Sequence, residues 1–151
     1  MPVAYDEPAD LIASAEASLD TIGLLIGDIK EEIQDSGGAW TIAEILNHLL
    51  DTERRYLARI RRVRRERHPH MRVLPDEDYT KLTALKAWTQ FYDLRQQQVR
   101  LLKRLEPHEW KRSGTLTPVG RVTIASLVRH LVAHDAAHTA QIARRLSGRS
   151  S

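Results

Sequence analysis

The stretch WTIAEILNHLL, residues 40–50, reads as the opening of a helix. Thr41 is followed three residues later by Glu44, the reciprocal pair of a capping box, and Trp40 stands where it can staple onto Ile45. A helix therefore starts within a residue or two of Thr41. Ile42, Ile45, Leu46, Leu49, Tyr56, Leu57 and Ile60 carry its apolar face at three- and four-residue spacing, until Pro69 and the surrounding His and Arg residues break the pattern.

The flanking segments repeat that spacing. Ala15, Leu19, Ile22, Ile26, Ile29 and Ile33 predict a first helix from about residue 8 to 35, ended by Ser36, Gly37 and Gly38. Gly23 and Gly27 lie one turn apart inside it. Glycine costs roughly 1 kcal/mol in a helix interior, so the pair marks either close approach by a neighbour or ligand, or simple tolerance. Leu85, Trp88, Tyr92, Val99 and Leu102 predict a third helix between about 78 and 106, closed by Pro107, and the segment from 107 to 122 reads as loop. Thr123 is a good N-cap for a last helix whose buried face carries Ile124, Leu127, Val128, Leu131, Ile142 and Leu146, as far as Ser147 and Gly148. With no strand-like alternation and no repeat, residues 1–151 are expected to form one domain, an all-α four-helix bundle.

Composition narrows the chemistry. The chain has no cysteine, which excludes disulfides, thiolate ligands and cysteine nucleophiles and leaves His, Asp and Glu for metal or acid–base work. No stretch approaches the roughly 20 apolar residues of a membrane span, and nothing at the N-terminus has the order of a signal peptide, so a cytoplasmic protein is expected. The net charge of +3, from 23 basic and 20 acidic residues, names no partner.

The last helix contains His130, His134 and His138 at successive four-residue intervals. At about 100° per residue, His134 and His138 fall beside Leu127 and Leu131 on the apolar face, while His130 drifts to its margin. Two imidazoles one turn apart in a cysteine-free core can hold a divalent ion from one rigid element. They can also be core histidines that hydrogen-bond to their neighbours. Asp135 projects toward the same face, and Glu53 lies in the apolar stripe of the second helix, where a carboxylate rarely enters unpaired. His48, on the flank of that stripe, offers a third nitrogen from a second helix, a common way for bundles to build metal sites.

In WTIAEILNHL at 40–49 and HDAAHTAQI at 134–142 the chain resembles the DinB-like superfamily of four-helix bundles. In that family a histidine of the second helix and two histidines four apart in the last helix form a three-nitrogen site for a divalent ion; by position these are His48, His134 and His138. The resemblance implies metal-dependent hydrolysis or thiol-dependent transfer on a small molecule, with nickel, zinc or iron as the ion and a low-molecular-weight thiol as one candidate partner. It also implies a homodimer, and a crossover joining the second and third helices, which the loop from about 67 to 77 permits by reaching about 36 Å when extended. Three neutral ligands would leave the ion its charge and an open position. Glu53 and Asp135 are then candidates for the base, or for groups that orient the ligands. The alternative for both acids is an ion pair with an arginine such as Arg55 or Arg145.

Nine arginines fall between 54 and 72. They are spaced around the helix instead of along one stripe, with only Tyr56 interleaved, which is a poor design for reading nucleic acid. A solvated helix end, or a pocket mouth that attracts an anionic substrate, fits better. His68, His70 and His108 are expected at the surface and Trp88 in the core. A non-catalytic bundle that binds proteins through its helix faces is the alternative from another functional class.

Overall fold

A computed structural model of the protein describes residues 7–27 and 40–148. Four helices carry the fold: α1, Pro8–Ile26; α2, Ile42–Arg65; α3, Ala84–Arg104; and α4, Ile124–Gly148. The capping box at the start of α2 is formed in both directions, Glu44 N–H donating to Thr41 Oγ1 and Thr41 N–H to Glu44 Oε1, each at 3.1 Å.

Two helix boundaries differ from the sequence reading. α1 closes at Ile26, where Gly27 takes a positive φ of 54°, so this glycine ends the helix and is not an interior residue. Ile29, Ile33 and residues 36–38 of the expected continuation lie outside the described residues. Gly23 does mark a close approach, since a Cβ there would stand 3.3 Å from the Trp88 ring. α3 begins only after Thr83, whose hydroxyl accepts the Lys86 N–H. Its buried face is Ala84, Ala87, Phe91, Arg95, Gln98, Val99 and Leu102, whereas Leu85 and Tyr92 are 52% and 39% exposed and Trp88 is only half-buried. A reading by hydropathy puts Arg95 and Gln98 at the surface and thereby rotates the helix.

Packing fixes the directions of the helices. At one end Leu11 of α1 and Leu127 and Val128 of α4 meet Ile60 and Val63 of α2 and Leu102 of α3. At the other, Ile22 and Ile26 of α1 and Ile142 of α4 meet Ile45 and Leu49 of α2 and Phe91 of α3. Thus α1 and α4 run one way, α2 and α3 the other, and residues 66–83 return along the bundle from the end of α2 to the start of α3. Side chains four apart on α2 stitch this strap down. Arg55 donates to the Leu74 and Pro75 carbonyls, Asp51 accepts the Tyr79 hydroxyl at 3.0 Å, and Asn47 exchanges two hydrogen bonds with the Leu82 backbone.

The segment from 107 to 122 is not simply loop. A 3₁₀ turn, Pro107–Lys111, leads into β2, Ser113–Thr117, and β3, Gly120–Thr123, which pair antiparallel, while β1, His70–Arg72, joins β2 in parallel. Met71, Leu116, Val122 and Trp110 turn inward and cover the first apolar cluster. Strands this short show too little alternation to be read alone, and β1 and β2 meet only because α3 returns the chain to the same end.

Candidate metal centre

Among the described residues, His48, His134 and His138 form a cluster able to hold a metal ion, with one ring nitrogen of each within 4.8 Å of the others. α2 supplies the first and its antiparallel neighbour α4 supplies the other two. The ring centroids stand 4.3 to 4.8 Å apart, and all three residues are half-buried. His130 is exposed and takes no part. The inward position on α4 belongs to Asp135, so the histidines lie along the flank of the buried stripe, where His48 and His134 open to a pocket.

His48 Nε2 and His134 Nε2 lie 2.9 Å apart and share one hydrogen bond. Nitrogens bound at 2.0–2.1 Å to a tetrahedral ion stand about 3.4 Å apart, so these side chains need only small shifts to serve as ligands. His138 Nδ1 is held by Gln141 Oε1 at 2.7 Å, which frees its Nε2. The Nδ1 atoms of His48 and His134 are buried and meet no hydrogen-bond partner among the described residues. Burial, then the neighbouring His138 and His48, pushes His134 down to about 3, and burial followed by His138 also lowers His48. Both rings are therefore neutral near pH 7 and offer lone pairs, which is what a divalent ion requires. The donor set fits such an ion.

Glu53 and Asp135 come together as well, but with each other and with Arg95 of α3. Arg95 donates to Glu53 Oε2 and Oε1 at 2.8 and 2.7 Å, to Asp135 Oδ2 and Oδ1 at 2.8 and 3.1 Å, and to the Ala15 carbonyl at 3.0 Å. Gln98 adds a bond to Glu53 Oε2, and all four side chains are fully buried. This polar layer takes a residue from every helix and separates the two apolar clusters. Burial raises the Glu53 carboxyl and outweighs the pull of Arg95; Arg95, although burial opposes its charge, is held above its ordinary value by the two carboxylates. The ion-pair alternative thus describes both acids, with Arg95 as partner in place of Arg55 or Arg145, and nothing in the sequence setting of Arg95 marks it as buried.

The strap builds the outer wall of the site. Tyr79 sets its ring edge-on to His48 at 5.0 Å, and Trp40 does the same at 5.2 Å. The Tyr79 hydroxyl donates to Asp51, and burial together with Asp51 and Asp76 pushes its pKa up to about 12. An open pocket of about 180 Å³ is lined by His48 and His134 and walled by Asp51, Asp76, Tyr79, Arg55 and Arg59. Asp51 and Gln141 each lie three residues from a histidine and were legible as helix neighbours, but Tyr79 and Asp76 reach the site only through the path of the strap.

The arginine-rich run is dispersed. Arg54 pairs with Gln90, Arg55 with Asp51 and the strap, Arg62 with Glu66 and Arg64 with Glu109. His68, His70 and His108 are exposed as expected, whereas Trp110 is 4% exposed and belongs to the core.

Three comparisons bear on this architecture. The sequence model of the DinB superfamily matches residues 8–142. Among solved structures the chain is similar to YfiT from Bacillus subtilis, described as a probable metal-dependent hydrolase with an unusual four-helix bundle topology. The TM-score is 0.71 at 17% sequence identity, over 97% of this chain and 91% of that one. No curated protein matches the sequence at a significant level.

Proposed function

The chain belongs to the DinB superfamily, and on that premise we propose that it is a metal-dependent enzyme acting on a small molecule. The reaction is hydrolysis or transfer involving a low-molecular-weight thiol. His48, His134 and His138 hold one divalent ion, nickel, zinc or iron. The observation that carries this reading is the convergence of three imidazole nitrogens from two helices, two of them, on His48 and His134, lining an open pocket. Such an ion keeps its charge against three neutral ligands, and when bound it supplies a lowered pKa to water or a thiol and polarises a carbonyl.

The chain's own residues divide the remaining work. Glu53 and Asp135 hold positions instead of exchanging protons, because every carboxylate oxygen is occupied and closed to solvent. Through Arg95 they lock the turn of α4 that bears His134 against α2 and α3. Asp51 and Asp76 are the carboxylates that face the pocket, and the Tyr79 ring limits the freedom of His48. YfiT, as a described metal-dependent hydrolase of the same fold, supports hydrolysis as the first reaction to screen. No described helix is long and apolar enough to cross a membrane. We place the enzyme in the cytoplasm as a homodimer; a light-scattering mass near the 17.3 kDa of one chain refutes the dimer.

The test is metal content by mass spectrometry on untagged protein, for the parent, His134→Ala and His138→Ala. Near-stoichiometric metal that disappears in both variants supports the centre. A parent that stays metal-free after incubation with nickel or zinc overturns it.

A further inference from the structure

Arg55, Arg59 and Arg62 follow one another on one face of α2, four and three residues apart. They form one wall of an open groove of about 600 Å³ whose other side carries His70, Arg72 and Leu74 from the strap. Arg55, Arg59 and Leu74 also line the pocket that reaches His48 and His134, so the groove and the histidine pocket adjoin along these side chains. Among the described residues, no carboxylate lines the groove itself. Asp51 and Asp76 lie at the histidine end.

The cations differ in how far they are satisfied. Arg55 is taken up by Asp51 and two carbonyls, and Arg62 by Glu66. Arg59 is half-buried, yet makes no hydrogen bond and no ion pair among the described residues. Its guanidinium stands 5.2 Å from the centroid of the Tyr56 ring, which leaves the N–H donors free to face the groove. Arg72, across the groove on β1, is exposed and makes no side-chain hydrogen bond or ion pair among the described residues. The Arg59 guanidinium nitrogens are not sealed from solvent, so they stay available to a ligand in the groove. A planar fork held by an aromatic ring is suited to an oxyanion.

We propose that Arg59 and Arg72 form an oxyanion subsite, and that the small molecule handled at the histidine centre is elongated and carries a carboxylate or phosphate at the end remote from the reacting group. The second part deepens the metal-dependent reading and rests on it; the subsite itself does not. Along α2, His48 and Arg59 are about 16 Å apart, and an arginine stem that leans back toward the N-terminus shortens the gap to on the order of 10 Å. That span sets the length of the molecule. It excludes compact substrates such as a single amino acid, whose acid group would sit beside the histidines.

The test titrates full-length protein, zinc-loaded and metal-free, with succinate and with inorganic phosphate at constant ionic strength, following the arginine Nε–Hε signals by NMR. The expected result is a saturable shift of the Arg59 signal at millimolar anion. Binding should weaken about tenfold or more in Arg59→Gln and stay unchanged in Arg61→Gln, which removes the same charge outside the groove. A response to phosphate alone assigns the subsite to phosphate esters, and a response to succinate alone assigns it to carboxylates. An unsaturable shift, or equal loss in both variants, refutes the subsite. Metal content measured on the same samples keeps the two readings apart, because a protein that binds the anion but no metal retains the subsite and loses the histidine centre.

Discussion

Replacing Arg95 with methionine removes the cation that two buried carboxylates share. Glu53 and Asp135 would be left fully buried, with Gln98 as a remaining donor to Glu53. Removing one partner of a buried ion pair costs about 3–5 kcal/mol. Protonation bounds the damage, since holding a glutamic acid neutral at pH 7 against an ordinary value of about 4.3 costs about 3.7 kcal/mol, after which the pair can share that proton. A loss of about 4 kcal/mol at pH 7 is therefore expected, a large part of the roughly 5–15 kcal/mol that holds a domain together. The sign with pH follows. The folded variant binds a proton that its unfolded chain releases above about 4.3, so the deficit shrinks by about 1.4 kcal/mol for each pH unit on acidification. Urea unfolding of parent and variant at about pH 5 and pH 7 measures it. A loss under about 1 kcal/mol at pH 7, or one that does not change with pH, refutes the account. Replacing Glu53, Arg95, Gln98 and Asp135 together by Leu, Met, Leu and Leu should recover most of the stability, because neither a buried charge nor the Gln98 amide is then left alone.

Other expectations follow from the same contacts. Asn47→Ala cuts both hydrogen bonds to the Leu82 backbone and should cost about 1–3 kcal/mol in urea unfolding, with faster amide exchange at Leu82. Gln141→Leu removes the acceptor that fixes the His138 ring and should weaken metal binding about 10- to 100-fold in a competition titration, with stability changed little. In the metal-free protein the unfolded chain protonates His134 near its ordinary 6.5 and the folded protein only near 3. The stability tied to this ring is therefore complete above pH 6.5 and declines as the pH falls toward 3, which unfolding midpoints across that window will register. Tyr79, displaced upward to about 12, should titrate well after the ordinary tyrosines in an ultraviolet absorbance titration, and its contribution is lost as the pH rises from 10 through 12.

Much of this protein was written in local sequence. The capping box at Thr41 and Glu44, the apolar spacing of α2, the Thr123 start of α4 and the four-residue interval between His134 and His138 all act within one or two helical turns, so their physics is visible in the order of residues alone. Absence of cysteine and the position of His48 on the flank of the α2 stripe were enough to nominate three nitrogens. The partner of Glu53 and Asp135 was not visible, because Arg95 looks like a surface residue until three helices enclose it. Apolar spacing alone therefore rotates α3, turning Leu85 and Tyr92 inward where the fold leaves them exposed. The sheet escaped notice because its strands are three to five residues long and the β1–β2 pairing joins segments separated by the whole of α3. Tyr79, Asp76 and the Arg59 groove likewise belong to no motif. They meet the histidines only because α2 and α3 run in parallel, which forces the chain between them back along the bundle and over the site.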